Sequence, residues 1–148
     1  MDLDLIFMNV DAQNDSDIIS LLGNKMLEKG YVKDTYVDAV IERESILPTG
    51  LDIGDLCVAI PHTQSEHVNS SVFAVGIPKK SVKFKSMIDP SKTIDAQIVF
   101  LLAINDPDGQ VELLQNLMSV FQNKQLLESI KYAKNKEDIS KLLEFIKL

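Results

Sequence analysis

Cysteine occurs once, at Cys57, tryptophan is absent, and only two histidines are present. A single cysteine excludes an internal disulfide and fits a reducing compartment. Glycine and proline are sparse, at six and five residues. With no repeat, low-complexity tract or Pro/Gly/Ser-rich linker, nothing divides the chain, and one domain over residues 1–148 is expected. Positive charge is also short, with 15 basic residues against 22 acidic ones and a net charge of −7. Binding a phosphate backbone requires clustered Lys and Arg. The only such cluster, Lys79-Lys80 with Lys83 and Lys85, reads as the solvated edge of a hairpin, so no nucleic-acid partner is expected. The longest unbroken apolar run, Ile98 to Ile104, is far below the roughly 20 residues of a membrane helix. Met1-Asp2-Leu3-Asp4 is acidic where a secretory leader is basic. Together these absences predict a cytoplasmic protein.

Hydrophobic residues make up 45% of the sequence, enough for a sizeable core at this length. Possible caps at Asn14-Asp15-Ser16-Asp17 precede Ile18, Ile19, Leu22, Met26 and Leu27 at helical spacing, and Gly30 ends that helix. A second helix is predicted from Asp34 to about Ile46, stopping before Pro48. Leu56–Ile60 reads as a short buried strand, Ser71–Ile77 as another, and Val82–Lys85 as a half-exposed one. Ala96–Ile104 is apolar throughout most of its length and is expected near the centre of the sheet. Asp106-Pro107 opens a helix carrying Val111, Leu114, Leu117, Met118 and Phe121. Further helices are predicted over about 123–132 and 135–147. The fold class is α/β, a single mixed sheet with helices on both sides.

The two histidines lie together, in Ile60-Pro61-His62-Thr63-Gln64-Ser65-Glu66-His67. His62 follows directly on a predicted strand, and Pro61 forces that strand to end and stiffens the corner. A neutral imidazole at such a corner can act as a reversible nucleophile near pH 7. It can equally be a polar loop residue. A shared zinc on His62 and His67 would need further ligands, and only Glu66 and Cys57 are near. Cys57 is better explained by core packing, so no metal is expected. Arg43, in Glu42-Arg43-Glu44, reads either as a surface salt-bridge residue or, if its helix end nears His62, as a clamp on an anion. Gln110 falls in the first turn of the helix after the long strand, where backbone N–H groups favour an anion; an ordinary exposed residue is the alternative. No P-loop, dinucleotide fingerprint or nucleophile elbow is present.

Glu42-Arg43-Glu44, Leu47-Pro48-Thr49-Gly50 and Val58-Ala59-Ile60-Pro61-His62-Thr63, in this order, resemble the EIIA domains of the bacterial sugar phosphotransferase system, fructose/mannitol class. Val82-Lys83-Phe84, the apolar strand to Ile104 and Val111-Glu112-Leu113-Leu114-Gln115 extend the resemblance over essentially the whole chain. It implies a phosphoryl carrier phosphorylated on His62. The donor would be the carrier protein HPr, and the acceptor an EIIB protein serving a membrane EIIC. No cofactor is implied. Arg43 matches a basic residue near the site in mannitol-type members. Where those members carry a second histidine this sequence has Gln110, and Ile-Pro-His-x4-His looks more like the galactitol-type branch. His67 is then a candidate for part of the missing histidine's role. The resemblance also admits a regulatory module whose phosphorylation state controls another protein.

Overall fold

In the computed structural model, which describes residues 1–148, the chain runs β1 (Ile6–Val10), α1 (Asp15–Glu28), α2 (Tyr36–Ile46), β2 (Gly50–Asp52) and β3 (Cys57–Ala59). It continues through β4 (Val72–Pro78), β5 (Val82–Lys85), β6 (Thr93–Ala96), β7 (Ile98–Ala103), α3 (Pro107–Phe121), α4 (Lys124–Lys131) and α5 (Lys136–Leu142). Four of the five helices start on an acidic or amide side chain that accepts a backbone N–H: Asn14, Asp106, Asn123 and Asn135. Gly30, at φ 78°, turns the chain out of α1 in the left-handed region that a side chain resists.

Five strands form one mixed sheet in the order β1-β4-β7-β3-β2. β1 runs parallel to β4 and β3 parallel to β7, whereas β4–β7 and β3–β2 are antiparallel. The alternation along β7 sets the layers. Ile98, Phe100 and Leu102 face one core with Leu113, Leu117 and Phe121 of α3 and Leu127, Ile130 and Ile139 of the following helices. Val99, Leu101 and Ala103 face the other, with Ile18, Leu22 and Met26 of α1 and Tyr36 and Val40 of α2. The expected mixed sheet with helices on both sides is therefore present. β5 and β6 pair as a separate hairpin, which buries Val82 and Phe84.

Several boundaries differ from the sequence-based expectation. α2 begins at Tyr36, not Asp34, because Lys33 is engaged elsewhere: its N–H donates to the His67 carbonyl (2.9 Å) and its own carbonyl receives the Tyr36 N–H. Ala96 closes β6 and does not open β7. The last helix stops at Leu142, short of 147; a terminal turn has few later N–H groups to hold it, and here it opens with Leu143 and Ile146 still buried. β1, β2 and β6 had no counterpart in the sequence reading.

Candidate functional site

β3 and β7 are parallel neighbours, so both end at the same edge of the sheet. The pairing extends beyond β3, since the Leu102 N–H donates to the Pro61 carbonyl (3.1 Å). His62 therefore leaves the sheet at a fixed point, next to where β7 feeds into α3. Crevices at the carboxyl ends of parallel strands are the usual ligand positions in open α/β sheets.

The imidazole is half-buried, and its Nδ1 lies 2.7 Å from the Ile60 carbonyl oxygen. A carbonyl only accepts, so Nδ1 carries the proton and Nε2 the free lone pair. Burial depresses the His62 pKa; the Ile60 hydrogen bond opposes this and the nearby Arg43 charge adds to it. The ring is thus neutral and nucleophilic at pH 7.

His62 lines a surface hollow of about 370 Å³ with Arg43, Ile46, Leu47, Pro48, Thr49, Ile60, Met87, Pro90 and Leu114. Its rim is apolar and open to solvent: Ile46 is 67% exposed, Leu47 54% and Met87 42%. Two tertiary contacts build the hollow. The Tyr36 hydroxyl donates to the Leu102 carbonyl (2.5 Å) and fixes the start of α2 on β7. Glu44, 4% exposed, fixes the other end by accepting from the Thr49 N–H and hydroxyl, both at 2.6 Å. Gly50 then lets the hairpin approach. A Cβ there would lie 2.6 Å from the Lys85 carbonyl and 2.7 Å from the Ile94 side chain. The same approach carries Met87 to the hollow, its N–H donating to the Gly50 carbonyl (2.8 Å).

Arg43 lies in the hollow with His62. It forms no ion pair with Glu42 or Glu44, contrary to the surface salt-bridge reading of that triplet, and its Nε is buried without a hydrogen-bond partner. His67 lies outside the hollow. It lines an adjoining depression of about 310 Å³ that shares Arg43, Ile46 and Leu47 with the first. Its Nδ1 is 2.8 Å from the Thr35 hydroxyl at the start of α2. Gln110 is half-buried in the first turn of α3, one turn before Leu114 on the same helix face, but does not itself line the hollow. No three His, Cys, Asp or Glu side chains are grouped to hold a metal ion.

Sequence reasoning missed Glu44, Thr49, Met87 and Pro90 as parts of the site. One signal was available: Glu44 continues the apolar stripe Tyr36–Val40 at four-residue steps.

A mixed sheet covered on both faces, with a neutral imidazole in an open, apolar-rimmed hollow, defines an α/β domain that presents a nucleophilic side chain at its surface. The profile of the family described as "Phosphoenolpyruvate-dependent sugar phosphotransferase system, EIIA 2" matches residues 1–145, and the chain belongs to that family of phosphoryl carriers. It is 32% identical over 115 residues to the galactitol-specific EIIA component of Escherichia coli K12, covering 78% of this chain and 76% of that protein. It is 28% identical over 140 residues to the probable licABCH operon regulator of Bacillus subtilis, covering 83% of this chain and 21% of the regulator. Its fold is similar to that of Escherichia coli mannitol enzyme IIA, solved in complex with phosphorylated enzyme IIB. That match has a TM-score of 0.81 at 21% identity and covers 99% and 98% of the two chains. No helix is long and apolar enough to cross a membrane.

Proposed function

We propose that this chain accepts a phosphoryl group from phospho-HPr on Nε2 of His62 and passes it to an EIIB partner, serving uptake of a galactitol-like sugar or sugar alcohol. One observation carries the reading: the free Nε2 of His62 shares a hollow with a guanidinium whose buried Nε has no partner. The Nε2 lone pair attacks phosphorus in line as the donor's bond to phosphorus breaks, and the leaving electron pair stays with the donor. The ring gains positive charge in this step, which strengthens the Nδ1–H bond to the Ile60 carbonyl. Arg43 offers its donors to the equatorial oxygens, where the developing charge lies. Gln110, one helical turn from the rim, is the next candidate donor, and His67 lines the approach on the far side of Arg43. Onward transfer reverses these steps to a second acceptor. An open rim suits this, since two proteins must reach the same atom in turn, through interfaces at the small end of the usual range. The relationship to a galactitol-specific EIIA component supports the sugar class.

The test is incubation with phosphoenolpyruvate, enzyme I and HPr, followed by detection of acid-labile phosphate on the chain. His62→Ala is expected to abolish the label, and labelling equal to wild type overturns the reading. Loss of label to an EIIB cysteine supports the transport role. The relationship to an operon regulator supports a second reading, a module whose phosphorylation controls another protein. Phosphorylation-dependent binding to an unrelated protein, without transfer to EIIB, would favour it.

A further inference from the structure

We propose that Glu44 is a positioning residue for His62: through Thr49 and Ile60 its carboxylate holds the imidazole in the Nδ1–H form and aims Nε2 into the hollow. The inference rests on the phosphoryl-carrier reading, which it extends to a residue that does not line the hollow.

Glu44 is the only charged residue among the buried side chains; the other buried polar ones are Thr49 and Thr63. Burying a carboxylate is costly unless its oxygens are satisfied. Both oxygens of Glu44 are spent on one residue, Oε2 on the Thr49 N–H and Oε1 on the Thr49 hydroxyl. A serine or asparagine cap could close the turn between α2 and β2 without burying a charge. The two bonds to Thr49 fix both the position and the rotation of that residue.

Thr49 passes this constraint on. Its carbonyl accepts the Ile60 N–H (3.4 Å), and the Ile60 carbonyl accepts the His62 Nδ1–H (2.7 Å). Glu44, Thr49, Ile60 and the imidazole therefore stand in series. The series starts one residue from Arg43, so the guanidinium and the ring are referred to the same helix end. Burial pushes the Glu44 pKa up to about 7, against the pull of both Thr49 donors. Hydrogen-bond partners that act through an intervening residue in this way hold reactive groups to within the tolerance that transfer demands.

Glu44→Gln is close in shape but offers one acceptor and one donor where the carboxylate offers two acceptors, so the Thr49 hydroxyl must turn to accept and both bonds lose their charge assistance. The measurement is the pair of ring 15N shifts of His62 in the unphosphorylated protein, together with kcat and KM for phosphoryl acceptance from phospho-HPr. Expected are a move from a single Nδ1–H tautomer to a mixture, and a kcat about 10-fold lower at a KM within about two-fold of wild type. Thr49→Val, which keeps the N–H but loses the hydroxyl, is expected to shift the tautomer in the same direction. Thr49→Ser, which keeps both donors, is expected to restore the wild-type ring pattern. A wild-type tautomer and kcat in Glu44→Gln overturns the proposal. So does a drop in Tm with the tautomer unchanged, since that is a purely structural role. If Glu44→Gln does not fold, Thr49→Val decides by the same readouts. The 15N shifts need no phosphoryl donor, so a wild-type label on His62→Ala would overturn the carrier reading and leave the positioning result standing on its own.

Discussion

Two cations near helix ends are treated in opposite ways. Lys29, just past α1, is held by Asp2 at 2.6 Å and Asp4 at 2.7 Å, and Asp2 also accepts from the Tyr31 hydroxyl (2.8 Å). Arg43, near the end of α2, is flanked in sequence by two glutamates and bonds to neither; its Nε is buried and unpaired. Glu44 turns instead to Thr49. A buried donor without a partner is destabilising, whereas a paired cation at the surface is close to neutral. The fold thus leaves its cost at the hollow beside His62, where an anion would relieve it, and closes its charges at the amino-terminal edge, where no function is proposed.

Replacing each cation should break this contrast in opposite directions. Arg43→Ala is expected to lower phosphoryl acceptance by about 100-fold or more, as removal of one charge-stabilising donor does, with no loss of Tm. Lys29→Ala should lower Tm slightly and leave acceptance unchanged. Equal effects on transfer would end the comparison.

The acidic members of the two regions should respond to pH with opposite signs. The Glu44 carboxyl is raised to about 7, chiefly by burial. The folded protein then holds a proton that the unfolded chain releases near 4.5. Its contribution is full below that value and is lost as pH rises through about 7, by about 3 kcal/mol at most. Asp2 is lowered to about 2, chiefly by its bond to Lys29. Its contribution is present above 3.8 and lost as pH falls toward 2. Denaturation of wild type, Glu44→Gln and Asp2→Asn across pH 3–8 separates the two. A Glu44→Gln curve parallel to wild type between pH 5 and 8 would contradict the first sign.

The apolar rim offers a smaller effect. Leu47→Asp is expected to raise KM for phospho-HPr about 10-fold with Tm unchanged, because a charge set into this apolar rim must be desolvated when a partner covers it. An unchanged KM would remove this rim from the interface. For His62, burial and Arg43 place the titration midpoint below the usual 6.5. Acceptance should therefore persist to lower pH than with an exposed histidine, and Arg43→Gln should move the midpoint upward. An NMR midpoint at or above 6.5 in wild type contradicts this. The smallest expected change is that of His67→Ala, within about three-fold on acceptance, since that ring is tied to Thr35 in the adjoining depression. A loss as large as that of Arg43→Ala would return His67 to the phosphoryl site.

Local patterns were legible where local physics decides. Asn14, Asp106, Asn123 and Asn135 cap the helices they were expected to open or adjoin, and the apolar run to Ile104 lies inside the sheet. His62 stands out because Pro61 ends a buried strand. β1 was invisible for the opposite reason: Ile6–Val10 is short, and its parallel partner, β4, lies more than sixty residues away. The three-residue β2 is likewise a strand only because β3 is beside it.

The sequence by itself determined the helices, the buried strand before His62 and the family, and it singled out His62 as the candidate for the reactive group. Each is written in spacing, caps or an ordered motif. Only the tertiary structure decided which side chains lie beside His62. Glu42-Arg43-Glu44 has the composition of a solvated salt-bridged turn, and no local rule says that Glu44 is buried on Thr49 while Arg43 is left unpaired beside His62. The reason is physical: the partner of a buried polar group is chosen by whatever the folded chain brings within hydrogen-bond reach, and β2, β3, the hairpin and the end of α2 meet only when the sheet is assembled.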